Sequence, residues 1–126
     1  MPQFSKHYTR DEARQLLPQI SEWLDELRQA RDLITHFDEQ LGKAISLGDD
    51  LGGETVNRYV KMLAKFREIL QRFLNRQIQI KDLDRGLIDF PAYVGGREVF
   101  LCWESGEEDI EFWHDLNTGY AGRERL

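Results

Sequence analysis

Residues 87–103, LIDFPAYVGGREVFLCW, decide the fold of this chain. Two runs rich in β-branched and aromatic residues flank Gly95-Gly96, and a two-residue hairpin turn with positive φ at both positions favours that pair. The turn sets the register, so that Val94 faces Arg97, Ala92 faces Val99, Phe90 faces Leu101 and Ile88 faces Trp103. One face of the hairpin is then apolar throughout, and it is expected to pack on the rest of the protein. The other face pairs Asp89 with Cys102, Pro91 with Phe100, Tyr93 with Glu98 and Leu87 with Glu104. Asp89, Cys102 and Glu104 are therefore expected to converge on a polar face turned away from the core. Pro91 points to a sheet edge, because it has no amide to donate to a neighbouring strand.

Downstream, the loop SGEED leads into IEFWHDL, which reads as a third antiparallel strand. If Ile110 and Phe112 face the core, His114 shares their side and Trp113 lies near Cys102. A slip of one residue reverses that assignment, and both registers stay open. The tail NTGYAGRERL (residues 117–126) reads as irregular. The 41 residues from Gly86 onward hold 7 of the 14 aromatic residues and the only cysteine. They carry 9 acidic against 3 basic side chains, while the remainder is balanced, so the formal charge of −6 comes from this end. A functional site is expected here.

Upstream, two helices are predicted. Thr9 and Glu12 have the spacing of a capping box, and Tyr8 and Ala13 that of a weak hydrophobic staple. Apolar residues then recur at Leu16, Ile20, Trp23, Leu27, Ala30, Ile34, Phe37, Leu41 and Ala44, a 4-3-4-3 alternation that suits a helix with a helical partner. Pro18 predicts a kink or a restart near Arg14–Gln15. SLGDDLGGE (residues 46–54) is turn chemistry. A second heptad run follows at Val56, Tyr59, Leu63, Phe66, Leu70, Phe73, Gln77 and Ile80, in which only Gln77 is polar. The short connection favours an antiparallel, coiled-coil-like hairpin with arms of ~50 and ~40 Å at ~1.5 Å per residue. Leu17, Leu24, Leu33 and Ile45 widen the seam on the first helix, and Val60, Met62, Ile69 and Leu74 widen it on the second. A face this broad needs a third layer, and a homodimer is expected to supply it.

The fold class expected is α+β: a long antiparallel two-helix hairpin with a small three-stranded antiparallel β-sheet at the C-terminal end. One domain is expected over residues 1–126, divided into helices at about 9–82, a β module at about 86–117 and a tail at 118–126. With 40% hydrophobic and 32% charged residues the chain is too apolar for disorder. No apolar run approaches the ~20 residues of a membrane span, and the N-terminus lacks the apolar core of a signal peptide. A single cysteine excludes an internal disulfide and agrees with a cytoplasmic location. A pI near 5.1 argues against nucleic acid as the main partner.

Several residues admit a chemical role as well as a structural one. Cys102 and His114 suggest a thiolate–imidazole pair oriented by Asp89, but the acidic surroundings oppose a thiolate and favour a buried structural cysteine. Asp89, Glu104, Glu107 and His114 offer hard oxygen and imidazole ligands, yet none of the tight spacings that mark a metal site, so neither metal nor cofactor is expected. As acidic loop residues, Glu107, Glu108 and Asp109 read as solvated. Gly119-Tyr120-Ala121-Gly122-Arg123 reads as a flexible tail whose Arg123 pairs with the acidic loop, more than as an anion nest. Trp103 and Trp113 suit packing as well as ligand stacking, and His7 and His36 stand alone. Arg58, Lys61, Lys65 and Arg72 form an outward stripe that reads as a solvated face before a phosphate track.

Taken together, Glu12, Ala13, Leu16, Leu17 and Pro18, then KDLDRGLIDFPA, LCWESGE, Trp113-His114 and GYAGR resemble one family. It is the uncharacterised bacterial family filed as domain of unknown function 2203, and the resemblance spans Phe4 to Arg125. Asp89, Phe90, Pro91, Cys102, Trp103, Gly106, Glu107, Trp113, His114, Gly119, Gly122 and Arg123 match its pattern. The resemblance implies a fold and boundaries but no activity. The expectation is a dimeric binding or interaction module. Its polar sheet face and C-terminal loop (Asp89, Cys102, Glu104, Glu107, Trp113, His114, Arg123) would take a small molecule or a partner protein. The alternatives are a hydrolase or metal-dependent enzyme using Asp89, Glu104, Glu107 and His114, and a nucleic-acid adaptor using the basic stripe.

Overall fold

In a computed structural model the chain is described over residues 1–48 and 52–126. Two helices, α1 (Arg10–Leu47) and α2 (Gly53–Asn75), precede the strands β1 (Gln79–Asp82), β2 (Leu87–Val94), β3 (Arg97–Glu104), β4 (Phe112–Asp115) and β5 (Glu124–Arg125). The class is α+β, but the sheet has five strands where three were expected. Residues 49–51, at the centre of the predicted turn, lie outside the described residues. No described helix is long and apolar enough to cross a membrane.

The capping box starts α1 as its spacing requires: the Glu12 amide donates to Thr9 Oγ1, and the Thr9 amide donates to the Glu12 carboxylate, each at 3.1 Å. The helix then runs unbroken to Leu47. Of the kink or restart expected near Arg14–Gln15, the restart does not occur; Pro18 lies on the exposed side of α1. Gly48, at φ 73°, closes the helix in the left-handed region that glycine enters without strain.

The second helix stops earlier than its apolar repeat suggests. Gln77 adopts φ 57°, its amide donates to the Leu74 carbonyl, and the Ile78 amide donates to that of Phe73. This pair of bonds is a Schellman motif with glutamine at the position usually held by glycine, and the buried Ile78 and Phe73 make its hydrophobic contact. The chain turns there, so residues 79–82 form β1 and not the last turn of a helix. In the tail, Glu124–Arg125 add β5 beside β4, so that segment is not wholly irregular.

The sheet order follows the chain, β1-β2-β3-β4-β5, with every pair antiparallel. Across Gly95 and Gly96, with φ 59° and 77°, β2 and β3 pair in the expected register from Val94 opposite Arg97 to Leu87 opposite Glu104. Pro91 lies past the end of β1, where the Tyr8 amide donates to its carbonyl at 2.7 Å, so only that part of β2 is an edge. The apolar face packs on the helices: Ile20, Leu24, Leu27, Ile69 and Phe73 share one core with Ile88, Phe90, Val99, Leu101 and Trp103. Helix against helix, Trp23 meets Phe73 edge-on and Phe37 meets Tyr59.

The inward line of α2 is shifted from the expected one. Tyr59, Met62, Phe66, Ile69 and Phe73 turn inward, while Val56 and Leu63, expected in the seam, are exposed. Phe73 sits at the junction of both helices and the sheet, 2% exposed. Phe73→Ala is expected to cost about 3–5 kcal/mol, read as a lowered urea midpoint with an unchanged slope.

Candidate functional site

The polar face of the β2–β3 hairpin is where the sequence places it, but it is not open. Asp89, Cys102 and His114 are 1%, 1% and 2% exposed. Strand β4 settles the register left open above: His114 stands opposite Phe100 and Phe112 opposite Cys102, while Trp113 stands opposite Leu101. His114 therefore shares the face of Asp89 and Cys102, and Trp113 packs against the apolar core on the other side. Trp113 is accordingly no part of a site beside Cys102, because side chains alternate along a strand.

Both ends of the chain cover this face. Phe4 packs edge-on against Phe100, and His7 stacks on Tyr93. Glu98 holds that segment by accepting from the amides of Gln3 (2.7 Å) and Phe4 (3.1 Å), with His7 Nε2 2.7 Å away. The Gln77 side-chain oxygen accepts from the amides of Ser5 and Lys6. At the other end, the short 3-10 turn Tyr120–Gly122 lays Arg123 over the Phe112 ring, 3.7 Å from its centroid. A Cβ on Gly122 would stand 2.7 Å from Thr118 Cβ, so this turn is closely packed.

At the centre, His114 Nε2 lies 3.0 Å from each Asp89 oxygen, and Nδ1 lies 2.7 Å from the Asp115 carbonyl. A carbonyl only accepts, so Nδ1 carries a proton and donates it. One further proton is then needed between Nε2 and the carboxylate, since two acceptors face each other there. Burial pushes the Asp89 carboxyl above the ordinary carboxylate range, with His114 pulling the other way. Cys102 completes the cluster: its Sγ, a carboxylate oxygen of Asp89 and a ring nitrogen of His114 all lie within 4.8 Å of one another. Burial, with the Asp89 charge adding to it, pushes the Cys102 thiol up to about 12.

Glu104 and Glu107, expected beside Asp89, are engaged elsewhere. The Glu104 carboxylate accepts from Arg85 (2.8 Å) and from the Tyr120 hydroxyl (3.1 Å). Glu107 accepts from the Glu104 amide and from Arg123. The expected pairing of Arg123 with the acidic loop is thus present, but Glu107 is not free in solvent. Nor is Asp109, which binds Arg10 and Arg14 of α1. His7, read as standing alone, has Glu98 as its partner. Phe4, Gln77, Glu98 and Tyr120 were not singled out by sequence reasoning; only Gln77, the one polar residue in an apolar repeat, left a signal.

Two outcomes follow from this geometry. Native Cys102 is expected to resist a thiol-specific reagent near neutral pH and to react with one equivalent after denaturation. The N-terminal strap is expected to be acid-labile. The Gln3 amide, then His7 and the Phe4 amide, hold the Glu98 carboxyl below its usual range. A lowered folded-state value means the strap's attachment is complete above ~4.3 and is lost as pH falls through the folded value. Amide exchange at residues 3–7, compared between wild type and Glu98→Gln across that window, checks this; the variant is expected to show the loosened strap at every pH.

No curated protein and no solved structure matches the chain. The family described as uncharacterized conserved protein (DUF2203) matches residues 6–126, a span that includes both helices, all five strands and every residue of the buried cluster. The chain therefore belongs to that family.

Proposed function

We propose that this chain is a homodimeric binding module, in which the helices join two copies and the sheet end carries the binding site beneath its two covering segments. The observation that carries this reading is a second apolar line on α2. Val56, Val60, Leu63 and Leu74 are exposed, Leu70 is partly buried, and together with Arg67 they repeat at 4-3-4-3-4. That spacing reads the same in both directions, so two copies of α2 related by a two-fold axis bring Val56 against Leu74, Val60 against Leu70 and Leu63 against Arg67. Self-complementarity of this kind is what an isologous interface requires. A lone arginine in an apolar seam suits the setting of register. The pairing of Trp23 with Phe73 and of Phe37 with Tyr59 supports an antiparallel hairpin as the unit that dimerises.

A thiol enzyme is less well supported, because Cys102 is buried with its thiol raised. The hydrolytic set Asp89, Glu104, Glu107 and His114 is split between the buried cluster and the surface ion pairs. The basic stripe of α2 is partly neutralised, with Arg58 paired to Glu54 and Arg72 to Glu68, which weakens a phosphate track. Light scattering coupled to size exclusion is expected to give twice the chain mass. Val60→Glu, which the two-fold axis sets against Leu70 twice in the interface, is expected to raise the dissociation constant at least about tenfold with helicity unchanged. A wild-type monomer at high micromolar concentration would overturn the reading.

A further inference from the structure

We propose that Asp89, Cys102 and His114 form a binding site for a divalent transition-metal ion of the zinc type, held by Asp89 Oδ, Cys102 Sγ and His114 Nε2. The three side chains come from adjacent strands β2, β3 and β4, point from one face of the sheet and are almost fully buried. Their donor atoms already lie within 4.8 Å of one another. A nitrogen and an oxygen bound ~2.0–2.1 Å from a tetrahedral zinc stand ~3.3 Å apart, and His114 Nε2 is 3.0 Å from Asp89. This pair needs to open only slightly to admit the ion, with Cys102 Sγ within 4.8 Å of both.

The histidine is set up as a ligand. Its Nδ1 proton is committed to the Asp115 carbonyl at 2.7 Å, so the Nε2 lone pair is directed at a carboxylate. An outer-shell carbonyl on the second ring nitrogen is the usual support of a metal-bound imidazole. Two acceptors facing each other in a dry site require a cation between them. A proton bridges only Asp89 and His114, with the Cys102 thiol hydrogen-bonded to Asp89, whereas a metal ion takes all three as direct ligands. Thiolate with imidazole selects zinc, cobalt or copper over magnesium and calcium. Binding displaces two protons, one from the Cys102 thiol and the one shared by Asp89 and His114, and leaves two negative ligand charges against the ion's two positive ones. A thiol that burial holds protonated is no obstacle, because coordination deprotonates it outright.

Arg123 is a second, independent observation. Its side chain is 8% exposed, and its Nη1 is a buried polar atom without a hydrogen-bond partner. The guanidinium lies on Phe112, the residue directly across from Cys102, on the same face of the sheet. With Nη2 bound to Glu107, the free Nη1 donor on the same face as the three ligands suits an anion or a hydroxide in the fourth position. Three protein ligands with one open position is the pattern of zinc sites that keep an exchangeable ligand.

The test uses the full chain, stripped of metal, refolded from urea with Co²⁺ and then with Zn²⁺ in competition with a chelating dye. One equivalent of Co²⁺ per chain is expected, with visible bands of a tetrahedral ion and a near-ultraviolet thiolate charge-transfer band. Zn²⁺ is expected to displace it with release of about two protons per ion bound to the apoprotein. Cys102→Ser should abolish the charge-transfer band and, like His114→Ala, weaken Zn²⁺ at least about 100-fold. Arg123→Gln should leave the stoichiometry intact. The wild-type spectrum stands whether or not the variants fold. Absence of saturable binding, or a Co²⁺ spectrum without the thiolate band, overturns the proposal.

Discussion

Val94 stands opposite Arg97 across the Gly95-Gly96 turn, and the facing of every residue in the two longest strands depends on that pairing. Side chains alternate along a strand, so a slip of one residue would exchange the two faces. Phe90, Leu101 and Trp103 would then leave the helices, and Asp89 and Cys102 would enter an apolar core without partners. The cost of burying unpaired polar groups defends the register as firmly as the gain from burying the aromatic ones. The helices, the cluster and the covering segments are all placed by this hairpin.

The sheet is buried on both sides by different means. On one side α1 and α2 supply a conventional apolar core. On the other the cover is thin: residues 3–8 from one end of the chain and residues 118–123 from the other. These segments are fastened mainly by polar contacts. Glu98 and Gln77 hold the N-terminal strap by its backbone amides, and Arg123, Tyr120, Glu104 and Glu107 link the tail to the loop after β3. Such contacts at the surface are individually weak. The elements over the cluster therefore open locally at lower cost than the strands that carry its side chains.

Much of this was legible from the residues. The capping box of α1, the hairpin with its register, and the shared face of Asp89 and Cys102 rest on local rules of turn chemistry and alternation, which need no knowledge of the rest of the chain. What was not legible involved choices between locally equivalent options. The repeat of α2 contains two adjacent apolar lines, one through Met62 and Ile69 and one through Val56 and Leu63. Propensity does not say which of them meets α1. In IEFWHDL either alternation buries an aromatic residue, and only the pairing of β4 with β3 selects Trp113 for the core and places His114 over Asp89. The end of α2 was hidden because Gln77 takes a backbone conformation usually marked by glycine.

The amino-acid sequence by itself determined the α+β class, the start of α1 and the two faces of the central hairpin, since each follows from interactions between residues close along the chain. Only the tertiary structure decided that the polar face is closed, that His114 joins Asp89 and Cys102, and that Glu104 and Glu107 do not. Those outcomes depend on contacts over separations such as 95 residues between Gln3 and Glu98 and 25 between Asp89 and His114. No local pattern encodes such distances; they arise when strands and covering segments compete for the same surface, and burial settles which of them prevails.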